Sequence, residues 1–215
     1  MNISFEILRQ LSEFDAATVY EAAGQEGMVD PAIRPMWLGS RLCGPAMTVG
    51  CPPRDNLILH HAVALAEPGT VLVANARGYR LAGAWGEVLT VAAQARGIAG
   101  LAIDGAVRDI EAIAERRFPV FSRGLAIGAC KKEQLGTLNE PIELGGVTVR
   151  PGDLVVGTGD GLVVVRQESF PEVLRSATAR RDREREILRD LGRGKTTIEI
   201  LGLPRPKEDR GGAGK

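Results

Sequence analysis

Two short segments carry the side chains of this chain that are best suited to chemistry. The first is Gly86-Glu87-Val88-Leu89, and the second is Arg108-Asp109, which follows the apolar run 98–103 and the dipeptide Asp104-Gly105. Carboxylates bind divalent cations, and a guanidinium stays protonated, so it holds negative charge without joining in proton transfer. This combination suits a divalent cation and an anionic ligand that share one pocket.

The segment from Gly86 to Leu89 has two interpretations. The first amides of a helix have no partners within the helix and carry the positive end of its dipole, so they can bind a carboxylate that approaches closely at a glycine. Alternatively, Gly86 only makes the turn after Trp85, and Glu87 complements the helix dipole. Taken alone, the segment favours the structural interpretation.

The predicted strand 98–103 ends at an Asp104-Gly105 turn, and Arg108 and Asp109 then open the next helix. Ligands of α/β sheets commonly bind outside the carboxyl ends of strands, and an aspartate there can bind Mg²⁺ with several waters. An acid in the first turn of a helix beside a surface arginine is an equally good explanation when the pair is considered by itself.

The elements that must position these segments alternate between helix and strand. Apolar periodicity and Gly/Pro punctuation predict an α/β fold with a mixed, mostly β core. The predicted helices are 4–23 with a second start at Asp15, 55–67 capped by Asp55, 86–96, 107–117 and about 170–190. The predicted strands are 70–74, 98–103, 119–121, 147–149, 154–156 and 162–165, and residues 40–49 are expected to form strand, turn and strand.

Composition indicates one globular domain. The chain has 215 residues, 44% hydrophobic and 25% charged, and its 27 basic residues balance 27 acidic ones. A neutral balance argues against a nucleic-acid-binding surface. We expect one domain over residues 1–191 and a partly flexible, polar extension over residues 192–215.

Cysteine usage and apolar run lengths predict the compartment. Cys43, Cys51 and Cys130 form no metal-binding or disulfide pattern, which fits a reducing environment. No run approaches the ~18–20 apolar residues of a membrane span, and the first residues lack the features of a signal peptide. We therefore expect a cytoplasmic chain without membrane or nucleic-acid partners.

The spacing of Glu87 and Arg108-Asp109 is similar to the acid-x20-Arg-Asp signature of the RraA-like family, which includes the class II pyruvate aldolases. Further segments resemble this family in the same order over about residues 40–165: 44–49, Asn56 with His60, 68–69, 86–109, 119–121, 145–147 and 151–153. The segment 195–202 resembles the aldolase branch. The first acid is often Asp in the signature, whereas here it is Glu87.

The resemblance implies a role for each site residue. Asp109 would bind Mg²⁺ or Mn²⁺, Arg108 would contact the pyruvyl oxygens and stabilise the enolate, and the amides of Gly86, Glu87, Val88 and Leu89 would bind the pyruvyl carboxylate. Glu87 would touch the metal through water, and Glu184 is the candidate acid from the C-terminal helix of an adjacent subunit. The implied fold is a single domain of the swivelling β/β/α type, assembled as homotrimers or homohexamers.

The implied activity is metal-dependent retro-aldol cleavage. The substrates of this branch are 4-hydroxy-4-methyl-2-oxoglutarate and 4-carboxy-4-hydroxy-2-oxoadipate, and oxaloacetate decarboxylation would proceed through the same enolate. The base that takes the C4 hydroxyl proton is not assigned, although a water positioned by Glu87 or Glu184 could serve. The alternative is a non-catalytic regulator that binds ribonuclease E, as some relatives in this superfamily do.

Other residues that could do chemistry are weaker candidates for a functional site. His60 and His61 point about 100° apart on a helix, so packing is favoured for them, with a place in the pocket lining as the alternative for one. Cys130 is expected to be a buried thiol, and lysines 131, 132 and 195 are in polar surroundings that keep them charged and poorly nucleophilic. The remaining candidates are a weak phosphate loop at glycines 157, 159 and 161, and possible clamps for a second carboxylate at arginines 77, 80 and 123.

Overall fold

The computed structural model describes residues 5–205, which form two compact units, the first ending at Ala177 and the second beginning at Thr178. The predicted boundary at 191/192 stays a prediction. The last ten residues of the expected extension, 206–215, lie outside the described residues. Within 5–205, no helix is both long and apolar enough to cross a bilayer.

A mixed sheet organises the first unit, with the strand order β1-β5-β4-β3-β2-β9-β10 and β6 paired to β2. Strands β2, β3, β4 and β5 run parallel to one another, whereas β1, β6, β9 and β10 pair antiparallel with the strands beside them. A separate hairpin joins β7 to β8. The strands are β1 Arg34–Pro35, β2 Leu42–Gly50, β3 Val71–Trp85, β4 Gly100–Val107, β5 Val120–Leu125, β6 Thr137–Leu138, β7 Ile142–Leu144, β8 Val147–Val149, β9 Leu154–Thr158 and β10 Gly161–Val165.

The helices are placed close to their predicted positions. Asp15 caps the second helix through a hydrogen bond from the Thr18 amide, as expected from its position before an apolar stretch. The helices are α1 Phe5–Leu11, α2 Ala16–Ala22, α3 Leu57–Leu65, α4 Glu87–Ala95, α5 Ile110–Glu115, α6 Phe170–Gly192 and α7 Thr197–Leu201, with a 3₁₀ turn at Gln167–Ser169.

Alternation along the central strands divides the core into layers. Leu72 of β3 faces a cluster that includes Leu59 of α3 and Leu89 of α4, whereas Val71 and Val73 face the β7–β8 hairpin on the other side. Successive residues of a strand point to opposite faces, so these apolar strands are buried on both. The layers are therefore hairpin, sheet and helices, and the predicted α/β class of β/β/α type is confirmed.

The prediction of two strands within residues 40–49 was wrong. Leu42–Gly50 is one strand, which pairs antiparallel with β9 up to Pro45 and parallel with β3 from Ala46 onward. Proline lacks an amide hydrogen and often marks a turn, but here it occupies the position at which the strand changes partner. Gly44 permits the change, because a Cβ there would lie 2.4 Å from the Gly69 carbonyl oxygen.

The predicted turn at Asp104-Gly105 was also wrong. Strand β4 continues to Val107, and α5 begins only at Ile110. Gly105 permits close strand packing, because a Cβ there would lie 2.8 Å from the Ala76 Cβ. The buried Asp104 carboxylate is bound by the Arg123 guanidinium. An Asp-Gly pair can thus lie within a strand when its carboxylate has a charged partner.

The second unit contains the end of α6 and the short helix α7. Thr196 and Glu199 form a reciprocal capping box, in which the Thr196 hydroxyl accepts from the Glu199 amide and the Glu199 carboxylate accepts from the Thr196 amide. Helix α7 lies in the segment 192–215, which was predicted to be a partly flexible, polar extension, so this helix was not predicted although its Thr-x-x-Glu signal is present in the sequence.

Candidate functional site

Two strand-to-helix junctions meet at one edge of the sheet. Strand β3 ends at Trp85 before α4, and the neighbouring parallel strand β4 ends at Val107 before α5. The Arg108 amide donates to the Trp85 carbonyl over 2.9 Å, which joins the two junctions directly. The carboxyl ends of parallel strands share an edge, so segments twenty residues apart become neighbours.

Asp109 connects the two junctions through its side chain. Its Oδ2 accepts a 3.0 Å hydrogen bond from the Glu87 amide and lies 3.6 Å from Arg108 Nε. Its backbone is left-handed, with φ +55°, a conformation that aspartate tolerates better than most residues. A Cβ on Gly86 would lie 2.3 Å from this oxygen, so a glycine is needed there.

A cavity of about 170 Å³ opens at this point, and the predicted binding segments line it. Gly86, Val88, Leu89, Arg108 and Asp109 are all in its wall. The amides of Val88 and Leu89 are in the first turn of α4 and have no acceptor within residues 5–205. Two unpaired amides, a guanidinium and a carboxylate therefore surround one small space, which can hold an anion beside a cation.

Glu87 contributes its backbone rather than its carboxylate. Its Oε1 accepts from Arg116 Nη2 over 2.7 Å and from Arg116 Nε over 3.1 Å, and the side chain does not line the cavity. Its amide is taken by Asp109, so of the four predicted amides those of Gly86, Val88 and Leu89 have no acceptor within residues 5–205. Glu184 lies in α6 within the second unit, and its role stays a prediction.

The donor set around Asp109 fits a hydrated divalent cation. Oδ1 of Asp109 has no hydrogen-bond donor within residues 5–205. No group of three or more His, Cys, Asp or Glu side chains converges as ligands in that range. Mg²⁺ is commonly held by one or two carboxylates and keeps several waters, so a single aspartate beside open space is compatible with it.

Another part of the cavity wall comes from α3. Asn56 at its N-terminus and His60 one turn later lie on the same helix face. Asn56 Oδ1 and His60 Nε2 are buried, and neither has a hydrogen-bond partner in the described part of the chain. Burial, followed by the positive charge of Lys132, holds the pKa of His60 below its usual value. The pocket-lining alternative thus applies to His60, whereas His61 is exposed.

Asn56 and His60 occur together in the resemblance to the family, but the pair was not predicted to form part of the site, because helix geometry was applied only to His60 and His61. The signal was available, since residues four apart share a helix face whereas adjacent residues do not.

Lys132 and Cys130 also line the cavity. Cys130 is half-buried rather than fully buried, but its partial burial still raises the pKa of the thiol and favours the protonated form, which is a poor nucleophile. Lys132 adds a second positive group to a cavity that already contains Arg108, which favours an anionic ligand.

A wider cavity of about 680 Å³ shares Arg108 and Asp109 with the first and is lined by Arg80. Arg123 does not reach it as a clamp, because its guanidinium binds Asp104 and, over 2.7 Å, Asp30. Gly157 and Gly161 belong to the β9–β10 hairpin, where Gly157 packs against Phe121, so a phosphate loop is not formed.

The fold and the edge site together define a class of β/β/α protein that has its candidate site at the carboxyl ends of parallel strands. Residues 15–164 match the sequence profile of the family described as RraA-like, Aldolase/RraA. The chain therefore belongs to the RraA-like family, and the resemblance noted in the sequence is confirmed.

Individual relatives agree with this assignment. A protein of Halalkalibacterium halodurans named "Putative 4-hydroxy-4-methyl-2-oxoglutarate aldolase" is 41% identical over 145 residues, which cover 67% of this chain and 69% of that relative. A crystal structure of an uncharacterized protein from Pseudomonas syringae pv. tomato is 32% identical with a TM-score of 0.86, covering 94% of this chain and 99% of that one.

A third relative has a different name. The structure of Streptomyces coelicolor RraAS2, titled an unusual member of the RNase ES inhibitor RraA protein family, is 27% identical with a TM-score of 0.76. It covers 91% of this chain and 99% of that one. The family thus includes proteins named for aldol chemistry and proteins named for ribonuclease inhibition, and the aldolase-named relatives support lyase chemistry here.

Proposed function

We propose that this chain is a divalent-metal-dependent pyruvate aldolase. It would cleave 4-hydroxy-4-methyl-2-oxoglutarate or 4-carboxy-4-hydroxy-2-oxoadipate to pyruvate and a second oxo acid. The observation that carries the proposal is the convergence of Arg108, Asp109 and the open amides of Val88 and Leu89 around one cavity. The aldolase-named H. halodurans relative supports the substrate class.

Each group has a defined task in this proposal. The amides of Val88 and Leu89 hold the carboxylate of the 2-oxo acid end, and Arg108 faces the keto oxygen, where negative charge grows as the C3–C4 bond breaks. Asp109, kept in place by the Glu87 amide, is the residue that would hold Mg²⁺ or Mn²⁺. When bound, the cation supplies Lewis-acid polarisation of the keto group.

Oxaloacetate decarboxylation follows from the same arrangement. Loss of CO₂ from oxaloacetate leaves the enolate of pyruvate, which is the anion that aldol cleavage also produces. Arg108 and the α4 amides would therefore stabilise both reactions, and we expect both activities in one preparation.

The wider cavity suggests where the rest of the substrate binds. It adjoins the small cavity at Arg108 and Asp109, and Arg80 provides a guanidinium for a second carboxylate. This is a place for the carboxylate that leaves with the second oxo acid.

Two further groups belong to the proposal. Glu87 would reach the metal waters only after releasing Arg116, and Glu184 would approach them from an adjacent subunit of a homotrimer or homohexamer. Both depend on an assembled, metal-bound enzyme.

Conservative variants test the proposal. Asp109→Asn keeps a residue that tolerates the left-handed backbone but removes the charge, so we expect metal-stimulated pyruvate release to be lost. Arg108→Lys keeps the charge but removes the planar fork, and kcat should fall on the order of 10²-fold with a smaller change in KM. The exposed Arg96 provides the matched control Arg96→Lys, which should retain activity.

Metal removal separates this proposal from its alternative. Pyruvate release should stop after treatment with EDTA and return when Mg²⁺ or Mn²⁺ is added. Activity that EDTA leaves unchanged would contradict the metal role. A stoichiometric complex with ribonuclease E, together with no lyase activity on any of the three oxo acids, would instead favour the regulator.

A further inference from the structure

The α3 wall of the small cavity contains two buried polar atoms without partners. Asn56 is 9% exposed, its Nδ2 donates to the Ala84 carbonyl over 2.9 Å, and this bond turns Oδ1 away as a free acceptor. His60 Nε2 is likewise buried without a partner in residues 5–205. An unpaired buried polar atom is costly, so two of them at one cavity indicate a ligand that pairs with them.

Two sets of groups in the cavity lining differ in what they can bind. Arg108, Lys132 and the Val88 and Leu89 amides are donors and suit the anionic end of a ligand. Asn56 Oδ1 is an acceptor, and His60 Nε2 is an acceptor when Nδ1 carries the proton. The α3 wall therefore suits a ligand group that donates a hydrogen bond, such as a hydroxyl.

We propose that His60 accepts the proton of the substrate's C4 hydroxyl during aldol cleavage, an assignment that rests on the proposed function. An amide oxygen cannot keep a proton at neutral pH whereas an imidazole can, so Asn56 is assigned to hydrogen bonding and His60 to proton transfer.

The proton transfer balances within one turnover. The hydroxyl proton passes to His60 Nε2, the O–H electron pair forms the new C4 carbonyl, and the C3–C4 pair passes to C3 as the enolate held by Arg108. The imidazolium then returns the proton to C3, which gives pyruvate and restores neutral His60. No oxidant or further reactant is needed.

The surroundings keep His60 in the form that this step requires. Burial and Lys132 lower its pKa, so the imidazole is neutral near pH 7 and able to accept a proton. The charged or titratable groups around it are Arg108, Asp109, Cys130 and Lys132 in the cavity wall and His61 on its own helix.

Comparing two reactions of one enzyme isolates this role. Oxaloacetate has no C4 hydroxyl proton to remove, so its decarboxylation does not need the base. His60→Gln should lower kcat for cleavage of 4-hydroxy-4-methyl-2-oxoglutarate by about 10²–10⁴-fold. Oxaloacetate decarboxylation should fall much less, because His60 takes up no proton in that reaction and solvent can protonate C3 of the enolate. His61→Gln, which changes an exposed neighbour on the same helix, should leave both reactions unchanged.

The pH profile gives a second readout. Wild-type kcat/KM for aldol cleavage should fall at acidic pH as His60 becomes protonated, whereas the residual cleavage by His60→Gln should lack that limb. A parallel loss of both reactions in a folded His60→Gln variant, or full aldol activity in it, would overturn the assignment. Wild-type protein with neither activity would instead refute the proposed function.

Discussion

At the scale of single residues, Asp55 joins two parts of the candidate site. Its Oδ1 accepts from the Leu57 amide over 3.0 Å, and its Oδ2 accepts from the Glu133 and Gln134 amides over 2.8 and 3.1 Å. Burial alone would raise the pKa of Asp55, but these three hydrogen bonds outweigh it and lower the pKa below its usual value. The start of α3 is thereby tied to the loop that carries Lys132.

Replacing this carboxylate should destabilise the fold. Asp55→Asn points an amide NH₂ at backbone donors, so we expect a loss of about 1–3 kcal/mol in the free energy of unfolding at pH 7, measured with urea. Exposed Asp160 gives the control Asp160→Asn.

Because the folded pKa of Asp55 is depressed, the contribution of Asp55 to stability is present above the unfolded pKa of about 3.9 and disappears as pH falls through the folded pKa. The difference between wild type and variant should shrink accordingly, and a pH-independent difference would contradict this account.

At the scale of elements, the first turn of α4 and the first turn of α5 act as one unit. The Asp109 carboxylate links the two turns, because it accepts a hydrogen bond from the Glu87 amide at the start of α4. Gly86 leaves room for this carboxylate. The site therefore depends on the relative placement of two helix starts as well as on the side chains.

Filling the space at Gly86 should inactivate the site without removing a functional group. A Cβ there would lie 2.3 Å from Asp109 Oδ2 and 3.1 Å from Arg108 Cγ, so Gly86→Ala must displace both side chains. We expect kcat/KM for pyruvate release to fall on the order of 10²-fold with the fold retained by circular dichroism. Gly159→Ala, whose Cβ would meet no atom within 4 Å, should be active. Equal activity of the two variants would show that Asp109 need not stay in place.

At the scale of the whole molecule, folding suppresses thiol chemistry. The chain has three cysteines, and burial raises the pKa of Cys43 and of Cys51 to about 12 and raises that of Cys130 as well. Thiolates are the reactive form, so all three should be inert in the folded chain near neutral pH.

Labelling with a thiol reagent should follow unfolding. In native buffer at pH 7.5, Ellman's reagent should react slowly, and in concentrated urea all three cysteines should react at once. Rapid reaction of any thiol in the native protein would contradict the expectation that all three cysteines are inert in the folded chain. Cys130→Ser is the variant that would show whether the cavity-lining thiol is responsible.

The sequence by itself determined most elements of the first unit and the two segments of the site. Apolar periodicity located α4, β5 and α6 and the start of β3, whereas the extension of β3 to Trp85, which places the first junction, was not predicted. The sequence also contains the signal for the capping box of Thr196 and Glu199, which was not used to predict α7. Local patterns succeed here because helix starts and buried strands are specified by neighbouring residues.

Only the tertiary structure decided which groups face one another. It turned the Glu87 carboxylate toward Arg116, gave the Glu87 amide to Asp109, and placed Asn56 and His60 in the lining of the same cavity as Arg108. It also converted Pro45 and Asp104-Gly105 from apparent turns into strand positions. These outcomes depend on partners distant in sequence, whose distances and charges come together only when the sheet packs, so no local pattern encodes them.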